Sequence, residues 1–87
     1  MVEGLTFKQS TPEIYYRNRR LALTPEQRRI MVNLAKGRIY PLKRRRGSAK
    51  KVLIVQISNI RRELLYLQVP LVIRTIYGVG YKMERLK

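Results

Sequence analysis

The sequence predicts an α+β fold: short N-terminal antiparallel strands, three helices of which the second is shortened, and a C-terminal β-hairpin. Three observations carry that expectation. Apolar and polar residues alternate in short pieces between residues 5 and 23. Apolar residues then recur at helical spacing over about 25–36 and 50–66. Finally, IRTIYGVGYKM (73–83) sets two glycines between β-branched and aromatic residues. At 87 residues the whole chain, 1–87, is expected to be one domain, because two independent cores would not fit.

The alternating pairs are Leu5 and Phe7, Ile14 and Tyr16, and Leu21 and Leu23, which read as short half-buried strands. Pro12 separates the first two pairs, and Arg17-Asn18-Arg19 suits a turn because Asn tolerates the left-handed backbone. In LTPEQRRIMVNLAKG (23–37), Thr24 is a helix cap, Pro25 fits the first helical position and Gln27 occupies the reciprocal site of a capping box. Ile30, Met31 and Leu34 give the buried stripe, Gly37 the stop, and Arg28, Arg29 and Lys36 a solvated surface. In RIYPLKRRRGSAKK (38–51), Pro41 and Gly47 leave room for one short helix around 42–46 within an irregular basic segment.

VLIVQISNIRREL (52–64) is rich in β-branched residues, yet Leu53, Ile57, Ile60 and Leu64 recur at i, i+4, i+7 and i+11 and so form one stripe of a helix. The opposite face carries Lys51, Val52, Val55, Ser58, Asn59 and Arg62, flanked by Gln56 and Arg61. Such a face suits a DNA major groove: Asn and Gln can pair with adenine through two hydrogen bonds, and apolar side chains can meet a thymine methyl. An ordinary solvated helix surface is the alternative. Gln68-Val69-Pro70 ends the helix, and a hairpin over 72–83 follows, with Gly78 and Gly80 expected to adopt conformations that other residues avoid.

Charge separates these alternatives. Twenty Lys and Arg stand against five glutamates, a net charge of +15 that concentrates polyanions around the protein. Cys, His and Asp are absent, which removes thiol and imidazole chemistry and the usual zinc and Asp-rich Mg²⁺ sites. No enzymatic activity, metal or cofactor is expected. The N-terminus lacks the charge pattern of a signal peptide, and no apolar run approaches the roughly 20 residues of a membrane span. A cytoplasmic, nucleoid-associated protein with no membrane partner is the expectation.

Two motifs sharpen this reading. VQISNIRREL (55–64) followed by IRTIYGVGY (73–81) resembles the DNA-binding domain of OmpR/PhoB-type response regulators, whose recognition helix and wing carry V-[HQ]-I-x-x-L-R-[RK]-x-L and I-x-T-[VI]-x-G-x-G-Y patterns. LALTPEQRRIMVNLAKG (21–37) resembles the first helix of that family, so the likeness spans roughly 5–83. The resemblance implies a winged helix that binds double-stranded DNA and regulates transcription, with the helix at 50–66 in the major groove and the wing on the adjacent backbone or minor groove.

Carried over by position, Val52, Val55, Gln56 and Asn59 would meet base edges. Lys51, Ser58, Arg61, Arg62, Thr75 and Lys82 would meet the DNA backbone, and charge adds Lys43, Arg44, Arg45, Arg46, Lys50 and Arg74 to that set. Tyr77, Gly78, Gly80 and Tyr81 would build the wing. Tyr77 stands where many relatives carry a minor-groove arginine, and Tyr81 would reach a phosphate or brace the wing. Departures from the family are expected in three ways: a stand-alone domain with no receiver, the 87 residues containing no Asp; Ile54 where an acid usually precedes the helix pattern; and a second helix and following loop cut to about 40–51. A second copy in tandem on DNA and RNA polymerase are the further partners considered. A nonspecific nucleoid or RNA-binding protein, or a small factor docking on polymerase through 38–51 or the N-terminal strands, remain the alternatives.

Overall fold

The alternation near the N-terminus is realised as a small antiparallel meander. The computed structural model describes residues 4–7, 13–42 and 46–86. Strands β1 (Leu5–Phe7), β2 (Ile14–Tyr16) and β3 (Arg19–Arg20) lie in that order in one sheet. Arg17 and Asn18, both at positive φ, turn the chain between β2 and β3. The third alternating pair behaves differently from the strand reading. Leu21 and Leu23 are buried but follow the strand, and the Leu23 N–H bonds back to the Leu21 carbonyl at 3.0 Å, bending the chain at Ala22. Leu21 still continues the pairing of β3 with β2, its N–H donating to the Ile14 carbonyl at 2.9 Å, so the pairing ends at Leu21 and burial alone accounts for Leu23.

Helix α1 (Pro25–Ala35) starts at the anticipated capping box. The Gln27 N–H donates to Thr24 Oγ1 at 3.2 Å, and the Thr24 N–H donates to Gln27 Oε1 at 3.0 Å. Ile30, Met31 and Leu34 are buried as expected. Arg28 is not part of a solvated surface: its Nη1 donates to the Leu23 carbonyl at 2.8 Å and lies 3.7 Å from Glu13.

After α1 the chain forms a strand that the sequence reading did not anticipate, β4 (Tyr40–Pro41). It pairs with β6 in a second sheet of order β4-β6-β5, where β5 is Leu71–Ile76 and β6 is Gly80–Arg85. The Leu42 N–H extends the pairing to the Val79 carbonyl at 2.9 Å. Pro41 is tolerated because β4 is an edge strand. Two helices, not three, are present among the described residues. In the stretch expected to hold the short second helix, Leu42 and Arg46 are non-helical, and Lys43, Arg44 and Arg45 lie outside the described residues. Leu42 is drawn instead into hydrogen bonding with the hairpin.

Helix α2 (Ser48–Tyr66) is the long one, and Leu53, Ile57, Ile60 and Leu64 form its buried stripe. It ends in a Schellman arrangement: the Val69 N–H bonds the Leu64 carbonyl at 2.9 Å and the Gln68 N–H bonds the Leu65 carbonyl at 3.1 Å, with Gln68 at φ 58°. The Ala22 N–H bonds Glu63 Oε2 at 2.6 Å, tying α2 to the strap before α1. Buried residues of α1, α2 and both sheets form one cluster. Each fully buried isoleucine in it (Ile14, Ile30, Ile57, Ile60, Ile73) contributes about 1.5–3 kcal/mol relative to an exposed one.

Candidate nucleic-acid interface

Because α2 buries one stripe, its opposite face is left to solvent. Lys51, Val52, Val55, Ser58 and Arg62 are exposed there, and Gln56 and Asn59 are half-buried at its margin. Val52 and Val55 keep 54% and 57% of their surface in water. Together with Lys51, Gln56 and Asn59 they line a shallow cleft whose far side is Thr24 and Gln27 at the start of α1. The four residues expected at base edges therefore share one surface.

Gln27 is the residue there that the sequence reading understated. It is only 5% exposed, and beyond its capping role its Nε2 donates to Gln56 Oε1 at 2.6 Å. A signal existed, since an amide sits one turn before Ile30 and Met31 in the buried stripe, where a side chain without a partner would be costly.

At the start of α2, Gly47 provides no side-chain cap and the first turn holds no acid. Lys50 and Lys51 stand in that turn instead, where the helix dipole is positive. Among the described residues, all four glutamates are engaged elsewhere. Glu13 faces Arg20 and Arg28, Glu26 pairs with Arg29 at 3.0 Å, Glu84 pairs with Arg74 at 2.8 Å, and Glu63 holds the Ala22 N–H. Arg46, Lys50, Lys51, Arg62 and Lys82 enter no ion pair with another described residue and are exposed.

The hairpin stands beside α2. Its turn closes through the Val79 N–H on the Ile76 carbonyl at 2.9 Å, with Gly78 at φ 75°, the third position at which a type II turn requires positive φ. Gly80 does not share that conformation. Its hydrogen side faces the Tyr40 carbonyl so closely that a Cβ would collide with it and with Leu42 N, so this glycine provides close approach rather than a special φ. Tyr77 projects from the tip, 98% exposed.

Three residues expected in or near the contact surface are placed differently. Tyr81 is 4% exposed and packs in the core. Arg61 turns toward the hairpin: its Nε and Nη2 donate to the Ile73 carbonyl at 3.1 and 2.7 Å, and Nη2 also donates to Thr75 Oγ1 at 3.0 Å. Its guanidinium lies 5.6 Å from the centroid of the Tyr81 ring. Thr75 is thereby engaged with Arg61. Arg74 sits directly across the hairpin from Lys82, a like-charge pair relieved by Glu84.

No family model matches the sequence, and no curated protein matches it. Among solved structures, the chain is similar to the DNA-binding domain of the response regulator AdeR, determined in complex with an intercistronic region. The likeness covers 98% of each chain at a TM-score of 0.80, with 15% sequence identity. No helix among the described residues is long and apolar enough to cross a membrane. A long helix with one buried and one open face, a preceding capped helix and a glycine-turned hairpin give this chain a winged-helix fold, shared over nearly its whole length with that solved domain.

Proposed function

We propose that the chain is a sequence-specific regulator of transcription that binds double-stranded DNA through α2 and the β5–β6 wing. The observation that carries this reading is the open face of α2. It combines exposed valines and two carboxamides with lysines and an arginine that have no acidic partner among the described residues. Major-groove edges present the donors, acceptors and thymine methyl that such a face complements. Phosphates complement the cations. The uncapped start of α2, unfavourable beside Lys50 and Lys51 in water, becomes favourable against an anion.

In this reading Val52, Val55, Gln56 and Asn59 meet bases, while Arg46, Lys50, Lys51, Ser58, Arg62 and Lys82 meet the backbone. Tyr77 lies over a sugar or phosphate at the wing tip. Lys43, Arg44 and Arg45, which lie outside the described residues, and Arg74 add positive potential. Arg61 and Thr75 hold the wing against the helix. Five cations on five phosphates would give a slope of log K against log salt of about −4 to −5, or roughly 10²–10³-fold weaker binding at 200 than at 50 mM salt.

Selection from a random duplex pool near physiological salt, with excess nonspecific DNA, tests the proposal. A sharp motif is the expected result. Its repetition at about one helical turn would mean a second copy beside the first. A flat pool with steep salt dependence would overturn the assignment of base readers and leave a protein that recognises charge and shape alone.

A further inference from the structure

Gln56 meets any partner with its amide already oriented. A backbone N–H can only donate, so the Gln27 atom facing the Thr24 N–H at 3.0 Å is Oε1. The other amide atom of Gln27, Nε2, can also only donate. The Gln56 atom facing it at 2.6 Å is therefore Oε1. Gln27 is buried and locked by the helix cap, so this orientation is set by the backbone of α1 rather than by DNA. Gln56 Nε2 is neither buried nor bonded to another described residue, and it lines the cleft with Val52, Val55 and Asn59.

We propose that Thr24 and Gln27 fix Gln56 as a hydrogen-bond donor toward the major groove, so that it selects a base edge presenting acceptors, guanine O6 and N7 above all. Two-bond pairing with adenine would need Oε1 to face the groove beside Nε2 and accept from the adenine amino group; one of its two lone pairs is taken by Gln27 Nε2, which holds that oxygen toward α1 and leaves Nε2 the outward group. Gln27 is thus a positioning residue for specificity, one layer behind the DNA. The inference rests on the reading of α2 as the helix that contacts bases.

The experiment is duplex selection with the full chain and three variants. Gln27→Glu keeps the cap, because a carboxylate at that position still accepts the Thr24 N–H. It offers Gln56 only acceptors, so the Gln56 amide turns over and presents Oε1 outward. The preferred base at that one position should change from guanine to cytosine or adenine, with roughly tenfold discrimination. Gln27→Met removes the donor without adding charge, and preference at the same position should broaden. Gln56→Ala identifies the position. If Gln56→Ala alters one position while both Gln27 variants leave it unchanged, the relay is wrong. If Gln56→Ala leaves the motif intact, Gln56 reads no base and the inference falls while the DNA-binding reading stands. If the unaltered protein selects no motif, that reading fails first. Thermal unfolding of each variant shows whether it is folded, and Gln27→Met decides the matter should Gln27→Glu not fold.

Discussion

Arg61 crosses from α2 to the edge of the hairpin and places two N–H groups on the Ile73 carbonyl, at 3.1 and 2.7 Å. β5 is the outer strand of its sheet, so that carbonyl has no strand to bond to. The guanidinium supplies the missing donor and reaches Thr75 Oγ1 as well, with Tyr81 beneath it. Beyond the core they share, helix and wing are therefore joined by a side chain whose fork geometry suits the task, and they would move as a unit over a duplex.

Arg61→Ala should cost about 2–3 kcal/mol, since charge-assisted bonds contribute about 1.5–3 kcal/mol and an edge carbonyl loses its partner. Arg61→Lys should recover only part of this, because a compact ammonium lacks the rigid planar fork that sets two separate N–H groups on the Ile73 carbonyl. DNA affinity should fall while the salt slope stays unchanged. The contrast is Arg62→Ala, exposed and without an ion pair among the described residues, which should leave stability nearly intact and reduce the slope by about 1. Chemical denaturation and a salt titration of duplex binding check both. A reduced slope for Arg61→Ala would mean that the guanidinium leaves the wing for a phosphate.

The two glycines of the wing should respond differently to alanine. At Gly78 nothing lies within 4 Å of an added Cβ, so only the left-handed backbone is penalised, by about 1–2 kcal/mol. At Gly80 the Cβ meets the Tyr40 carbonyl, which cannot rotate away, and the cost should reach about 3 kcal/mol, the upper end of overpacking. For a chain of this size that is a fall in Tm of roughly 12–24 °C. Equal losses at the two positions would show that β4 gives way easily and that the close approach contributes little.

What the sequence made legible was local. The capping box of α1, the stripe of Leu53, Ile57, Ile60 and Leu64, and the turn at Gly78 depend on residues within a few positions of one another, and each is where periodicity and cap chemistry place it. What was hidden depends on distant partners. β4 exists because residue 80 lacks a Cβ, which nothing near Tyr40 announces. On the helical wheel Arg61 looks like one more basic flank, and only the edge of β5 turns it inward. The Gln27–Gln56 bond joins two residues 29 apart in sequence, each plausible alone as a cap or a solvated amide.

Gln68 offers a test in which removing a side chain should help. It sits at φ 58° after α2, the position where Schellman ends usually carry glycine, and it is exposed. Gln68→Gly relieves the left-handed penalty of about 1–2 kcal/mol, partly offset by the entropy of a more flexible unfolded chain. A net gain of about 0.5–1 kcal/mol is expected in denaturant unfolding. A loss would mean that the Gln68 side chain makes a contribution its exposure does not suggest.

Lys50 brings stability and function into opposition. A cation in the first turn of α2 faces the positive end of the helix dipole, with no acid in that turn and no side-chain cap to offset it. Lys50→Glu should therefore raise the stability of the free protein by about 0.5–1 kcal/mol, reversing an unfavourable charge into a favourable one. The same change should weaken every duplex alike and lower the salt slope by about 1, because the phosphate that the lysine meets would now face a carboxylate. A residue retained only for solubility would show neither opposition nor a change in slope. If Lys50→Glu were stabilising and left duplex binding untouched, the start of α2 would lie away from the DNA and the docking of the helix would need to be redrawn toward Arg62 and the wing.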